Sequence, residues 1–343
     1  RTRLVGSEMC IRDRFETDEL SRTQQEGLIK IAYKKNGRHL LKNYRPLSLQ
    51  NFDVKIIAKS LAKRMALYIN DLIHDNQKCV PGRKITTNIH IAQDLIDTIN
   101  ANGDKAAFIF IDQEKAFDRI SHNFMIKTLI AFGFPENFIK WVKILYNNIT
   151  SRVKINGFLT ESFDIERGVR QGCPLSSLIY VLCAEVLAIE IRKNDNIQGY
   201  KYNNSQNEQK LLSFADDMMI CITTDQSLFE LFKVLHDYEL ASNAKVNQDK
   251  TKALWIGQWQ NRTDTPLGLK WTNGNVEFLG PHIGNDRESA SRITFESVKN
   301  SIKNKISYWN PKHISLKGKA KILNIFVLSK LWSTLEILDI PDN

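Results

Sequence analysis

The chain has 343 residues, 42% hydrophobic and 25% charged, which leaves room for one large core or two to three subdomains and excludes a disordered or fibrous protein. Its five cysteines (Cys10, Cys79, Cys173, Cys183 and Cys221) are scattered, odd in number and lack Cys-x-x-Cys spacing. That argues against a disulfide framework, a disulfide-linked partner and a structural zinc site, and for a reducing intracellular compartment, cytoplasm or nucleus. The net charge of +10 is segregated: residues 29–64 hold ten Lys/Arg against Asp53 alone, residues 285–330 hold ten against three acids, and the remainder is net acidic. Two basic blocks around an acidic centre fit a polyanionic partner, nucleic acid before others. No apolar run is long enough for a membrane span.

Residues 1–14 show no period and read as translated adapter sequence, which would make the chain a fragment without its native N-terminus. Gln24 to Tyr33 is expected to be a strand, followed by the basic turn Lys34-Lys35-Asn36-Gly37. Arg45-Pro46 demands extended backbone. Val54 to Asn70 is expected to be an amphipathic helix, with Ile56, Ile57, Leu61, Met65 and Ile69 on one face and lysines left over for a solvated one. Ile89 to Ile99 returns to helical spacing. Ala106 to Asp112 is an apolar run ending in an acid, the pattern of a buried strand with a carboxylate at its edge. A helical region broken at Gly133 and Pro135 follows, then Arg152 to Gly157, whose alternation ends in the hairpin signal Asn-Gly. Gly168 to Ser176 is a glycine-punctuated loop opening onto an apolar helix at 178–191. Ser227 to Ser242 is expected to be helical, Ala253 to Ile256 and Val276 to Gly280 to be strands. Two basic helices, from Ile293 and from Gly318, close the chain.

The stretch Leu211 to Ile222 carries Asp216 and Asp217 inside an apolar run, the pattern of strand, turn, strand. By itself the pair reads as a solvated Asp-Asp turn. A divalent-metal site needs a further acid, and Asp112, 104 residues before Asp216, sits at the edge of a comparable strand. If the two strands pair, three carboxylates converge. Oxygen donors of this kind suit magnesium rather than zinc, and a pair of ions about 3.5–4 Å apart serves in-line phosphoryl transfer.

Phe110 to Asp118, Gly168 to Ser176 and Phe214-Ala215-Asp216-Asp217, in this order and spacing, resemble reverse transcriptases of LINE-type (non-LTR) retrotransposons. The resemblance extends to Asn43 to Ser48, Val80-Pro81-Gly82-Arg83, Lys250-Thr251 and Phe278-Leu279-Gly280, over roughly residues 20–340. It implies an α+β right-hand polymerase: fingers mainly in 15–104, palm mainly in 105–284 (reverse transcriptase core about 29–284) and a truncated helical thumb in 285–343. It further implies an RNA-directed DNA polymerase with two Mg²⁺ ions, an RNA template, a DNA primer or target and dNTPs.

In that family pattern Asp112 and Asp216 hold both metals and Asp217 is the supporting acid. Phe117 matches the steric gate that excludes a 2′-hydroxyl, although its residue type alone suggests core packing. Arg45 matches the arginine that contacts the triphosphate, with Lys34 or Lys35 as helper. Gln171 and Gly172 match the nucleotide and template pocket, Lys250 the lysine that protonates pyrophosphate, and Phe278, Leu279 and Gly280 the primer grip. The basic helices after Ile293 match a thumb that tracks a hybrid duplex. Gln113, Ser177 and Ser242 to Lys245 depart from the family pattern, and none of them is a metal ligand. The alternatives are a decayed copy that binds RNA without polymerising, and a group II intron-like maturase, against which Tyr44 to Leu49 followed by Asp53-Val54-Lys55 speaks.

Overall fold

The computed structural model describes residues 11–34, 37–202, 208–309 and 313–338. Lys35 and residues 1–10 lie outside the described residues.

In chain order, β1 (Glu26–Tyr33) and β2 (Tyr44–Leu49) pair antiparallel, with Arg45-Pro46 extended as the proline requires. Helix α1 (Phe52–Ala66) buries Val54, Ile57, Leu61 and Met65 and stops at Ala66, four residues short of the expected end. Helix α2 (Ile85–Asn102) ends at Gly103, whose φ of 65° makes a left-handed cap. Strand β3 (Lys105–Ile111) is the apolar run before Asp112. Helices α3 (His122–Ala131) and α4 (Glu136–Tyr146) are divided at Gly133 and Pro135, and the Ser121 hydroxyl caps α3 by accepting the Phe124 N–H.

Strands β4 (Thr150–Ile155) and β5 (Phe158–Leu159) are joined by Asn156-Gly157, with φ of 50° and 91°, the positive pair of a tight hairpin. Strand β6 (Phe163–Asp164) precedes helix α5 (Ser176–Lys193). Then come β7 (Tyr200–Lys201), β8 (Glu208–Gln209), β9 (Leu211–Phe214), β10 (Asp217–Ile222) and helix α6 (Asp225–Ser242). Strands β11 (Lys252–Gly257), β12 (Lys270–Thr272), β13 (Asn275–Glu277) and β14 (His282–Gly284) lead to α7 (Arg287–Trp309). The chain closes with α8 (Leu316–Ile322), a π-helical stretch Leu323–Leu328 and α9 (Ser329–Leu335).

Two further expectations change. The strand predicted over Val276 to Gly280 ends at Glu277, because Leu279 and Gly280 take φ of 52° and 117° and reverse the chain into β14. The helix predicted from Ile293 begins at Arg287, six residues earlier. Its first turns bury small residues, Ala290, Ser291 and Thr294, which a search for large apolar residues passes over.

The chain divides into two compact units. The first comprises residues up to Gly82, Gln113–Asn194 and Leu231–Val246; the second comprises Arg83–Asp112, Asp195–Glu230 and Asn247 onward. The first holds the sheet β2-β1-β4-β5, with β6 pairing β4 and β1 running parallel to β4. Its helix α5 is buried nearly all round, as a helix apolar on every face must be. No helix among the described residues is long and apolar enough to cross a membrane.

The second unit holds the sheet β12-β11-β3-β10-β9, with β3 central and antiparallel to both neighbours. Every β3 residue after Lys105 is buried. Phe108 and Phe110 pack with Leu95, Ile96 and Ile99 of α2 and with Met219 and Leu254 of the flanking strands. Each such side chain contributes about 1.5–3 kcal/mol by leaving water, so the position of β3 is the best-determined feature of this sheet.

Candidate active site

The ladder between β3 and β10 pairs Ile111 with Met218. The next residue outward on each strand is an acid, Asp112 on one and Asp217 on the other, so the register sets the two carboxylates across from each other at one sheet edge. Strand β10 also pairs Asp217 with Phe214 of β9, leaving Ala215-Asp216 as a two-residue loop. Ala215 takes φ of 54°, a left-handed conformation costing roughly 1–2 kcal/mol for a residue with a Cβ. Strain held at an acid-bearing turn is a mark of a functional site. Asp216 is half-buried on this loop, and Asp217 is exposed.

One oxygen of Asp112, Oδ2, is buried and accepts no hydrogen bond, and the Lys250 ammonium stands 3.6 Å from it. The loop carrying Lys250 is tied to the same residue. Asn247 N–H donates to the Asp112 carbonyl at 2.7 Å. The buried Thr251 hydroxyl donates to the Asn247 carbonyl at 2.9 Å and accepts the Asp112 N–H at 3.4 Å. Asp112, Asp217, Asp249, Lys250, Lys252 and Lys270 line a cavity of about 310 Å³, together with Phe278 and Leu279. Asp216 is not in that lining.

Among the described residues no three His, Cys, Asp or Glu side chains group as a preformed metal cage. Magnesium does not need one: it is held by one or two carboxylates together with substrate phosphates and water. The buried Asp112 oxygen without a hydrogen bond, on a residue whose register position is across from Asp217, fits such an ion.

The residues matching a primer grip divide in two. Phe278 is core, 4% exposed, its ring 5.6 Å from that of Phe110. Leu279 and Gly280 form the turn between β13 and β14, closed by Phe278 N–H donating to the Pro281 carbonyl at 2.9 Å. Phe278 and Leu279 reach the cavity; Gly280 does not.

The first unit carries the other matched residues. Arg45 lies on β2 opposite Ala32 and is exposed. Gln171 and Gly172 run alongside β2: Ser48 N–H donates to the Gln171 carbonyl at 2.9 Å, and a Cβ on Gly172, φ 104°, would meet the Ser48 oxygen at 2.9 Å. The Gln171 side chain donates to Asp118 Oδ1 at 2.9 Å. Burial pushes the Asp118 carboxyl above the usual range, against the opposing pull of that hydrogen bond and of Lys115. Phe117 is half-buried on the helical turn Ala116–Arg119. Gly168 packs against this turn so closely that a Cβ would lie 2.7 Å from the backbone of Asp118.

Sequence reasoning singled out Asp112, Asp217 and Lys250, which the structure brings together, and missed Lys252, Lys270 and Asp118. Lys252 follows Lys250 by two, and that alternation is the signal that could have found it. Lys270 joins through the parallel register Lys252↔Lys270, which no local pattern announces.

The sheet, its acidic edge and the flanking helices define a polymerase of the right-hand class. The chain belongs to the reverse transcriptase (RNA-dependent DNA polymerase) family, whose model matches residues 33–283. It is similar to the transposon TX1 uncharacterized 149 kDa protein of Xenopus laevis, 31% identical over 326 residues, which are 94% of this chain and 25% of that protein. It is also similar to a Pol polyprotein from the type-2 retrotransposable element R2DM of Drosophila melanogaster, 31% identical over 140 residues, 41% of this chain and 13% of that one. The chain therefore spans a quarter or less of these relatives, and both agree with the LINE-type resemblance. Apo telomerase from Candida tropicalis shares the fold with a TM-score of 0.54 at 13% identity, over 96% of this chain and 67% of that one. Polymerases of this family depend in general on divalent metal.

Proposed function

We propose that the chain is an RNA-directed DNA polymerase of a LINE-type retroelement, extending a DNA 3′-hydroxyl on an RNA template with dNTPs. The observation that carries this is the pair Asp112 and Asp217, opposed across a central antiparallel ladder, with a buried Asp112 oxygen that accepts no hydrogen bond. On this reading residues 15–104 are mainly fingers, 105–284 mainly palm and 285–343 thumb. The protein works inside the cell, in cytoplasm or nucleus.

Asp112 and Asp217, with Asp216 on the adjoining loop, would hold two Mg²⁺ ions, which supply charge to activate the attacking hydroxyl and to neutralise the departing pyrophosphate. The protein's own groups do the rest. Arg45 binds the triphosphate through charge-assisted hydrogen bonds. Phe117 occupies the volume a 2′-hydroxyl would need. Gln171 orients the nucleotide from its hydrogen bond to Asp118. Lys250, an ammonium beside Asp112, gives a proton to the leaving pyrophosphate. Phe278 and Leu279 seat the primer end.

The test is primer extension on poly(rA)/oligo(dT) with Mg²⁺. Wild type should incorporate dTTP, and Asp112→Asn or Asp216→Asn should lose about a thousandfold or more in rate, the scale of several kcal/mol of charge stabilisation. Filter binding of the inactive variant to the same hybrid should be unchanged. Binding without incorporation by wild type would leave an RNA-binding protein and sink the polymerase reading.

A further inference from the structure

Phe117 lies on one side against another ring. Its centroid is 4.3 Å from that of Tyr180, with 25° between the planes. Tyr180 sits in the second turn of α5 and is 0% exposed, whereas Phe117 is only half-buried. One ring is locked in the core and the other rests on it with part of its surface open. The Tyr180 hydroxyl donates to Gln113 Oε1 at 3.1 Å, and Gln113 is itself buried, 8% exposed. A tyrosine hydroxyl carried fully into a core is costly unless paired, and a phenylalanine would fill the same space without that cost. The buried hydroxyl is thus spent on orientation: it pins the Tyr180 ring in its plane, and the stack passes that orientation to Phe117.

The backbone under Phe117 is also held. Val169 N–H donates to the Phe117 carbonyl at 2.7 Å, and the close approach of Gly168 to Asp118 leaves no slack on that side. With the main chain fixed, the remaining freedom of Phe117 is rotation of its side chain, and Tyr180 removes it. Gln113, which departs from the family pattern at a variable position, acquires a role as the anchor of this stack.

We propose that Tyr180, anchored by Gln113, is a positioning residue for sugar discrimination: it sets how firmly the Phe117 ring resists a 2′-hydroxyl. This rests on the polymerase reading and on Phe117 as the gate. A ring that can swing aside admits a ribonucleotide without any change to the carboxylates or to triphosphate binding. The affected quantity is therefore the ratio of kcat/KM for dNTP over rNTP, not the rate of dNTP incorporation.

The experiment measures that ratio on an RNA template for wild type, Phe117→Ala, Tyr180→Leu, Tyr180→Phe and Leu182→Ala, the last a buried residue of the same helix that serves as a control for lost stability. Phe117→Ala should relax selectivity most. Tyr180→Leu should lower the dNTP preference roughly tenfold, the scale of one lost aromatic pair. Tyr180→Phe, which keeps the stack and loses the anchor, should fall between Tyr180→Leu and wild type. Leu182→Ala should reduce thermal stability and leave the ratio where it was. The double variant Phe117→Ala/Tyr180→Leu should be no more permissive than Phe117→Ala, because both act through one ring. An unchanged ratio in Tyr180→Leu, alongside a relaxed one in Phe117→Ala, overturns the proposal and leaves the gate intact. If Tyr180→Leu does not fold, an unchanged ratio in Tyr180→Phe overturns it. Unchanged selectivity in Phe117→Ala removes the gate itself, and no incorporation by wild type removes the polymerase reading.

Discussion

Asp112 and Phe117 are five residues apart in the chain and are held by different means. Asp112 continues a strand that is hydrogen-bonded on both sides, to β10 and to β11, and its own backbone is fastened to Asn247 and Thr251. Phe117 sits on a single helical turn that follows Lys115 in a left-handed conformation, φ 48°. It is held by a ring stack, a backbone hydrogen bond to Val169 and the near contact of a glycine. The carboxylate is thus placed by register, which is all or nothing: a slip of one residue turns every side chain to the other face. The gate is placed by packing, which can be loosened by degrees. Chemistry that tolerates no displacement rests on the ladder, and selectivity, which is a matter of degree, rests on side chains and turns.

Substitutions in the two regions should therefore separate kinetically. Among substitutions that leave the acids in place, the largest effect is expected at Gly168→Ala. Its Cβ would lie 2.7 Å from three backbone atoms of Asp118, at φ 85°, and relieving that clash requires the turn under Phe117 to move. A loss of about 2–4 kcal/mol in urea unfolding is expected, with KM for dNTP raised roughly tenfold and kcat changed little. A fall in kcat at constant KM would break the distinction between the regions.

Thr251→Val tests the other side. It removes the hydroxyl that joins Asp112 N–H to the Asn247 carbonyl and leaves the packing volume in place. Stability should drop by about 1–2 kcal/mol, as for a buried hydrogen bond broken on one side. The rate constant should fall with KM and sugar preference unchanged, and Thr251→Ser should restore it. Altered sugar preference in Thr251→Val would show that the two regions are not independent.

The smallest effect concerns Asp118. Burial raises its carboxyl above the ordinary value of 3.8, so the folded state favours the neutral acid. Its contribution to stability is full below the unfolded value and is lost as pH rises through the folded one. Asp118→Asn is neutral at every pH and keeps an oxygen to accept from Gln171. The variant should melt about 1–2 °C above wild type at pH 7, and the gap should close as pH falls below the carboxylate range. A gap that is constant with pH would assign the difference to packing rather than charge.

Much of this was legible residue by residue. The run Ala106 to Ile111 must be a strand, because it is too short and too uniformly apolar for anything but the middle of a sheet. Asn156-Gly157 must be a hairpin turn, because both residues need positive φ. The paired acids Asp216 and Asp217 had to lie at or beside a bend, since apolar strands flank them on both sides; Asp216 is in the turn and Asp217 opens β10. Local sequence could not say that Val276 to Gly280 turns back at Phe278, since Leu279 in a left-handed conformation is held there by its contacts with the core. Nor could it say that α7 begins at Arg287, where the buried residues are alanine, serine and threonine.

What the sequence by itself determined was the set of parts: which runs are strands, which turns carry acids, and which blocks are basic. These follow from periodicity and residue type, which act over a few neighbours. Only the tertiary structure decided that Asp217, rather than Asp216, stands across from Asp112 and lines the cavity, that Lys270 joins Lys252 there, and that Tyr180 lies under Phe117. Each of these depends on the register of one element against another far away in the chain. That register is set by the burial of whole strands and helices, not by any property of the residues it brings together.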